Sequence, residues 1–332
     1  MPRLADAGLI TPFPYSVSPT GFPEVCNSLA STNAVCLRSL CLSGISAQSH
    51  LDALAILPKL AGTGTVTELR LTSFLHTPDF LKSLLRWPAR LEKLAFEYEY
   101  AGRYGRFRPS MDETWGMSVL VDAISTHRKS LRCLSVANLP RQGIEYADLS
   151  TFTSLEFLSL SSGVTGQNYS EHLLAHLAAP GLKTFRWDLT NPYGQQSLYD
   201  FGEREENWLR MLVQVLTARQ VPLRHLRLEF NPNTKICYTV MYERYFYPWD
   251  RLDDIARDVE PHGIVVSCNP PTITKRELWF NYHLYWLRTK EIEPWEYPID
   301  PATMDAEDWD EAVDVVEWWR ANQDDLDLDP YA

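Results

Sequence analysis

Two histidines four residues apart, His172 and His176, are the side chains whose spacing comes closest to metal chemistry. On a helix that spacing puts both rings on one face. Zinc hydrolases of the H-E-x-x-H type also need a carboxylate directly after the first histidine to activate water. Leu173 stands there, so the pair predicts packed or outward-facing rings. The run GTGTVTEL, residues 62–69, is not G-x-G-x-x-G and lacks the strand that must precede a phosphate cradle. The chain contains no G-x-x-x-x-G-K-[ST] and no G-x-S-x-G. Its six cysteines form no C-x-x-C pair and no Cys/His cluster at zinc spacing, which predicts reduced, mostly buried thiols. These residues predict a protein that is not an enzyme and that uses no cofactor and no metal.

The remaining chemistry is that of binding. Three long segments, 97–112, 188–204 and 230–248, concentrate Tyr, Phe, Trp and Arg. The first carries Tyr98, Tyr100, Arg103, Tyr104, Arg106, Phe107 and Arg108; the third carries Tyr245, and Trp249 follows directly after it. Tyr and Arg dominate binding hot spots because they join large contact area to a polar end. We take these residues as partner-binding candidates, together with three arginines on strands, Arg70, Arg186 and Arg227.

A repeat positions all of them. LRSLCL begins at Leu37, VTELRL at Val66, LEKLAF at Leu91 and LRCLSV at Leu131. LEFLSL begins at Leu155, LKTFRW at Leu182 and LRHLRL at Leu223. Each has large apolar residues at positions 1, 4 and 6 and a polar residue at position 2. Positions 4 and 6 are two apart, so both face the same side of a strand. The starts are 29, 25, 40, 24, 27 and 41 residues apart, with helix-compatible stretches between them. In TPDFLKSLLRW, Thr77 is placed as an N-cap and Pro78 as the first helical residue. This period predicts an α/β fold: an irregular leucine-rich-repeat solenoid with parallel strands on the concave face and helices on the convex face. The turn asparagine of regular repeats is missing. Three residues past position 6 stand Ile45, Phe74, Glu99, Leu139, Gly163 and Thr190, and only Asn231 fits.

The column at position 5 reads Cys41, Arg70, Ala95, Ser135, Ser159, Arg186, Arg227. It is small in the middle and charged toward both ends, which suits a protein or peptide better than a small apolar ligand. The three aromatic segments all leave the same end of a strand and should share one rim.

The phrase LLRWPARLEKLAFEY, the loosely spaced LRSLCL-type strands and the long insertions resemble fungal F-box and leucine-rich-repeat proteins over roughly residues 30 to 270. That resemblance implies an N-terminal F-box that docks on the adaptor of a cullin-type ubiquitin ligase, with repeats that select the substrate. The first 36 residues contain no L-P-x-E-[IL] opening, and prolines stand at 2, 12, 14, 19 and 23. The expectation is therefore a substrate receptor whose docking module lies upstream, or a relative that lacks it. The alternative is a free-standing repeat scaffold unrelated to ubiquitin.

The divisions expected are an N-terminal extension or cap (1–30), the solenoid (31–270), a capping helix (271–290) and an acidic tail with an amphipathic helix (291–332). The capping helix opens with Thr274 and Glu277 spaced as a capping box. The tail carries fifteen Asp or Glu against Arg320, so it stands at −14 while the whole chain stands at −12. The other 290 residues therefore carry +2, and no broadly basic nucleic-acid surface is indicated. The tail could dock on the arginine-rich loop or column. No secretory signal and no membrane-length apolar run is present. Partners are expected to be proteins, on the concave face or the insertion rim, plus the ligase adaptor where an F-box precedes the repeats. Neither nucleic acid nor membrane is expected, and the location is cytoplasmic or nuclear.

Overall fold

Large apolar residues at positions 4 and 6 of each copy drive the fold, because one strand with two such side chains cannot bury them alone. The computed structural model of the chain describes residues 7–9, 38–45, 56–74, 76–98, 115–139, 147–165, 170–189, 198–232, 247–275 and 277–278. Nine strands lie side by side in chain order, every neighbouring pair parallel. They are β1 (Ala7–Leu9), β2 (Ser39–Ser43), β3 (Glu68–Phe74), β4 (Lys93–Tyr98) and β5 (Cys133–Ala137). β6 (Phe157–Ser161), β7 (Thr184–Asp188), β8 (His225–Glu229) and β9 (Val265–Cys268) complete the sheet. All seven expected strands are present. β1, inside the expected N-terminal extension, was not foreseen; it pairs Ala7 with Leu40 and Leu9 with Leu42.

The register aligns like positions. Leu40, Leu69, Leu94, Leu134, Leu158, Phe185 and Leu226 follow one another across the sheet, and all are buried. The six α-helices described are α1 (Pro78–Arg86), α2 (Met117–Ile124), α3 (Ser162–Thr165), α4 (Glu171–Ala175), α5 (Glu203–Ala218) and α6 (Pro248–Val259). Their buried faces and the strand positions 4 and 6 form one continuous core. The molecule is thus an α/β protein with a parallel sheet and helices. The Phe80 N–H donates to Thr77 Oγ1 at 3.4 Å, the cap expected for α1. Thr77→Ala should cost about 1 kcal/mol, read as a shift in the chemical denaturation midpoint. The capping box expected at Thr274 and Glu277 is also present: the Thr274 N–H donates to Glu277 Oε2 at 2.9 Å, the Glu277 N–H to Thr274 Oγ1 at 3.1 Å, and Leu278 is buried.

Position 2 explains why it is always polar and always spaced as it is. Its carbonyl accepts two N–H groups from the next strand's entry. Arg38 O accepts from Thr67 and Glu68 at 2.8 and 2.9 Å, and Thr67 O from Glu92 and Lys93 at 2.8 and 3.0 Å. Glu92, Arg132, Glu156 and Lys183 repeat the arrangement. The side chain is left outside the core, which favours a polar residue.

Strand exits differ from unit to unit. The residue two past position 6 has a positive φ at Gly44 (73°), Ser73 (52°) and Asn138 (60°). That left-handed conformation turns the chain sharply and costs little at Gly or Asn. The N–H at this place is satisfied by the next unit. The Asn138 N–H donates to Ser161 Oγ at 3.1 Å, the Phe230 N–H to Asn269 Oδ1 at 3.1 Å and the Leu189 N–H to the Glu229 carbonyl at 3.1 Å. A mixture of hydroxyl, amide and backbone acceptors therefore does what a single asparagine ladder does in regular repeats.

Candidate functional site

Positions 3, 5 and 7 point away from the helices and form the second face of the sheet. The expected column at position 5 is in register: Cys41, Arg70, Ala95, Ser135, Ser159, Arg186, Arg227, and then Ser267. Arg186 and Arg227 are paired neighbours on β7 and β8. Arg70 is four strands away, roughly 19 Å at normal strand spacing. The column thus holds a two-arginine patch and one separate arginine.

At the patch, Glu229 Oε1 lies 3.2 Å from Arg186 Nε and 2.8 Å from Arg227 Nε. The carboxylate is 19% exposed, while Arg227 remains 60% exposed. Arg186 Nε is buried and makes no hydrogen bond among the described residues, so its contact with Glu229 is purely ionic. One carboxylate shared by two guanidinium groups leaves donor capacity toward a partner. At the far end of the face, Lys93 sits 2.6 Å from Glu68, and that hydrogen bond holds the ammonium above its ordinary pKa. Between them, burial pushes the Cys133 thiol pKa up, which favours its protonated form.

The rim of aromatic segments is described only at its roots. Tyr100, Arg103, Tyr104, Arg106, Phe107, Arg108 and Tyr245 lie outside the described residues, as does the acidic tail. Where the structure describes the rim, aromatics turn inward. Tyr98 is half-buried with its ring 5.5 Å from Trp115, and Phe201 is buried 6.0 Å from Phe230. Trp249 corrects our expectation. It is 4% exposed, sits in the first turn of α6 and packs 5.4 Å from Phe230, with its Nε1–H donating to the Asn269 carbonyl at 3.4 Å. The spacing Trp249, Leu252, Ile255 already marks a core-facing helix stripe, and that signal outweighs membership of an aromatic loop. Tyr247 likewise donates its hydroxyl to the Ile273 carbonyl at 3.0 Å, and burial pushes its pKa up to about 12.

The histidine pair is on α4 and at its C-cap, rings 4.8 Å apart and edge to face. Among the described residues no group of three or more His, Cys, Asp or Glu is placed to hold a metal. Cys41, Cys133 and Cys268 are free thiols. No described helix is long and apolar enough to cross a membrane. No protein-family model matches the chain, and no curated protein matches its sequence.

Proposed function

We propose that this chain is an irregular leucine-rich-repeat solenoid acting as a protein-interaction module, the substrate-recognition part of an F-box-type ubiquitin ligase receptor or of a relative without the F-box. The supporting observation is the in-register repetition of one strand unit across the sheet, with a polar second face that is buried at Ser159 and Ser161 and open at Arg70 and Arg227. On this reading the second face is the concave one, and the Arg186–Arg227 patch is its strongest protein contact. Loops and faces fixed by a rigid scaffold present such groups without ordering cost at the moment of binding.

Two measurements test it. Affinity purification of the full chain should recover the ligase adaptor and cullin subunits; a chain that never recovers them, yet holds other proteins, sinks the receptor reading. For the interaction surface, Arg186→Ala with Arg227→Ala should reduce partner recovery by about tenfold, a typical loss for central arginines. The melting temperature should move by only a few degrees, because the pairs lost are partly exposed. Unchanged recovery would remove the patch from the interface.

A further inference from the structure

A second charged surface lies at the edge where strands begin. A groove of about 300 Å³ is lined by Arg90, Lys129, Arg132, Glu156 and Lys183, with Ser130, Ser154, Thr153 and Gly181 forming its floor. The floor is rigid. Ser130 Oγ donates to the Leu91 carbonyl at 2.8 Å and Ser154 Oγ to the Lys129 carbonyl at 2.7 Å, so each serine ties its unit to the one before. Gly181 has no room for a side chain: a Cβ there would lie 2.9 Å from the Thr153 carbonyl oxygen.

The charges are uneven. Glu156 sits at the centre, 3.1 Å from Arg132 and 3.3 Å from Lys183, and hydrogen bonds from both hold its carboxyl below the ordinary range. Arg90 pairs with Glu92 at 2.9 Å. Lys129 and its neighbour Arg128 are exposed and have no ion pair among the described residues. Arg224 continues the row beyond Lys183, its N–H bonded to the Lys183 carbonyl. Four cations, Arg90, Lys129, Arg132 and Lys183, thus line the groove against one carboxylate, Glu156.

We propose that this groove is a docking site for an extended Asp/Glu-rich segment of a partner protein. Its volume accepts one or two side chains and no folded element. The central carboxylate of Glu156 repels a doubly charged phosphate placed over it. Single carboxylates strung along a chain avoid it and reach Arg90 and Lys129 on one side and Lys183 and Arg224 on the other. The site is independent of the ubiquitin reading and lies off the second face of the sheet.

Fluorescence anisotropy of a labelled Glu-Ser-repeat peptide, titrated with the full chain at low and at high salt, tests this. Binding at low salt should weaken steeply as salt rises, because exposed pairs are screened. Lys129→Glu with Lys183→Glu should weaken it by about tenfold, and Lys129→Glu alone, which disturbs no described pair, by about threefold. Arg227→Glu on the second face should leave it unchanged. Absence of binding at low salt, an equal loss in the Arg227 variant, or tighter binding of a phosphoserine version would each overturn the proposal. So would zero-length cross-linking that joins Lys129 or Lys183 to residues 291–332 with no peptide present, since the groove would then belong to the chain's own tail.

Discussion

Phe74→Ala is expected to lower the unfolding free energy by about 3–5 kcal/mol, the range for truncating a fully buried aromatic ring. Phe74 is fully buried and ends β3 directly after the left-handed turn at Ser73. Its ring lies 5.3 Å from Phe96, 5.7 Å from Trp115 and 6.4 Å from Phe80. It therefore joins β4, the entry to α2 and the first turn of α1. Edge-to-face and tilted ring pairs contribute beyond the area they bury, about 0.5–1.5 kcal/mol each. A truncation here removes three such pairs and leaves a cavity that strands on both sides hold open. Tyr98 rests on Trp115, so the end of β4 should loosen too, seen as faster amide exchange at Tyr98. A loss below about 1 kcal/mol in denaturant titration would mean the cluster does not pack as described.

His127→Gln should remove a pH dependence of stability that the unaltered chain shows below about pH 6.5. The ring is 5% exposed. Its Nε2 lies 2.6 Å from the Leu85 carbonyl, and the Leu91 N–H points at Nδ1 at 3.4 Å. Those partners require a neutral ring protonated at Nε2, and burial lowers its pKa below 6.5 even though the Leu85 bond works the other way. The unfolded chain takes up a proton near pH 6.5 that the folded chain refuses. Stability is therefore full above that pH and falls as the pH drops toward the folded value, by up to about 1.4 kcal/mol per pH unit. Carboxylates such as Glu277, held low first by the Thr274 backbone N–H, act only below about pH 4.5, so the two windows separate. His127→Ala should cost about 3 kcal/mol at neutral pH, because it orphans a buried carbonyl and a buried N–H between α1 and β4. Parallel denaturation curves at pH 7.5 and 5.5 that differ equally in the unaltered and Gln chains would refute the assignment.

Strand positions were legible because apolar residues two apart admit one geometry: Leu94 and Phe96 must share a face, and both are buried. Thr77 and Thr274 were legible as caps because capping chemistry is local. What the sequence hid involves turn contacts between residues 23–40 apart. Whether Ser161 or Asn269 satisfies a neighbour's turn depends on which strand lies beside it, and no local spacing carries that. The groove around Glu156 is assembled from four successive units, so its charges are scattered along the chain from Arg90 to Lys183. The separation of Arg70 from Arg186 was available by counting strands, whereas the ionic contact of both patch arginines with Glu229 was not. Trp249 was misassigned because composition was weighed above helical spacing.

The doubled acceptor at position 2 has a consequence for how such a chain changes length. Glu92 O serves Arg132 and Cys133, and Arg132 O serves Glu156 and Phe157 in the same way. Splicing out the 24 residues from Leu131 to Ser154 would bring Glu156 and Phe157 to the Glu92 carbonyl, a rung identical in kind to the one lost. Leu158 would meet Leu94 and Leu160 would meet Phe96. A gene encoding this ladder can gain or shed a whole rung by one in-frame event, and the second face of the sheet grows or shrinks by one strand in the same step.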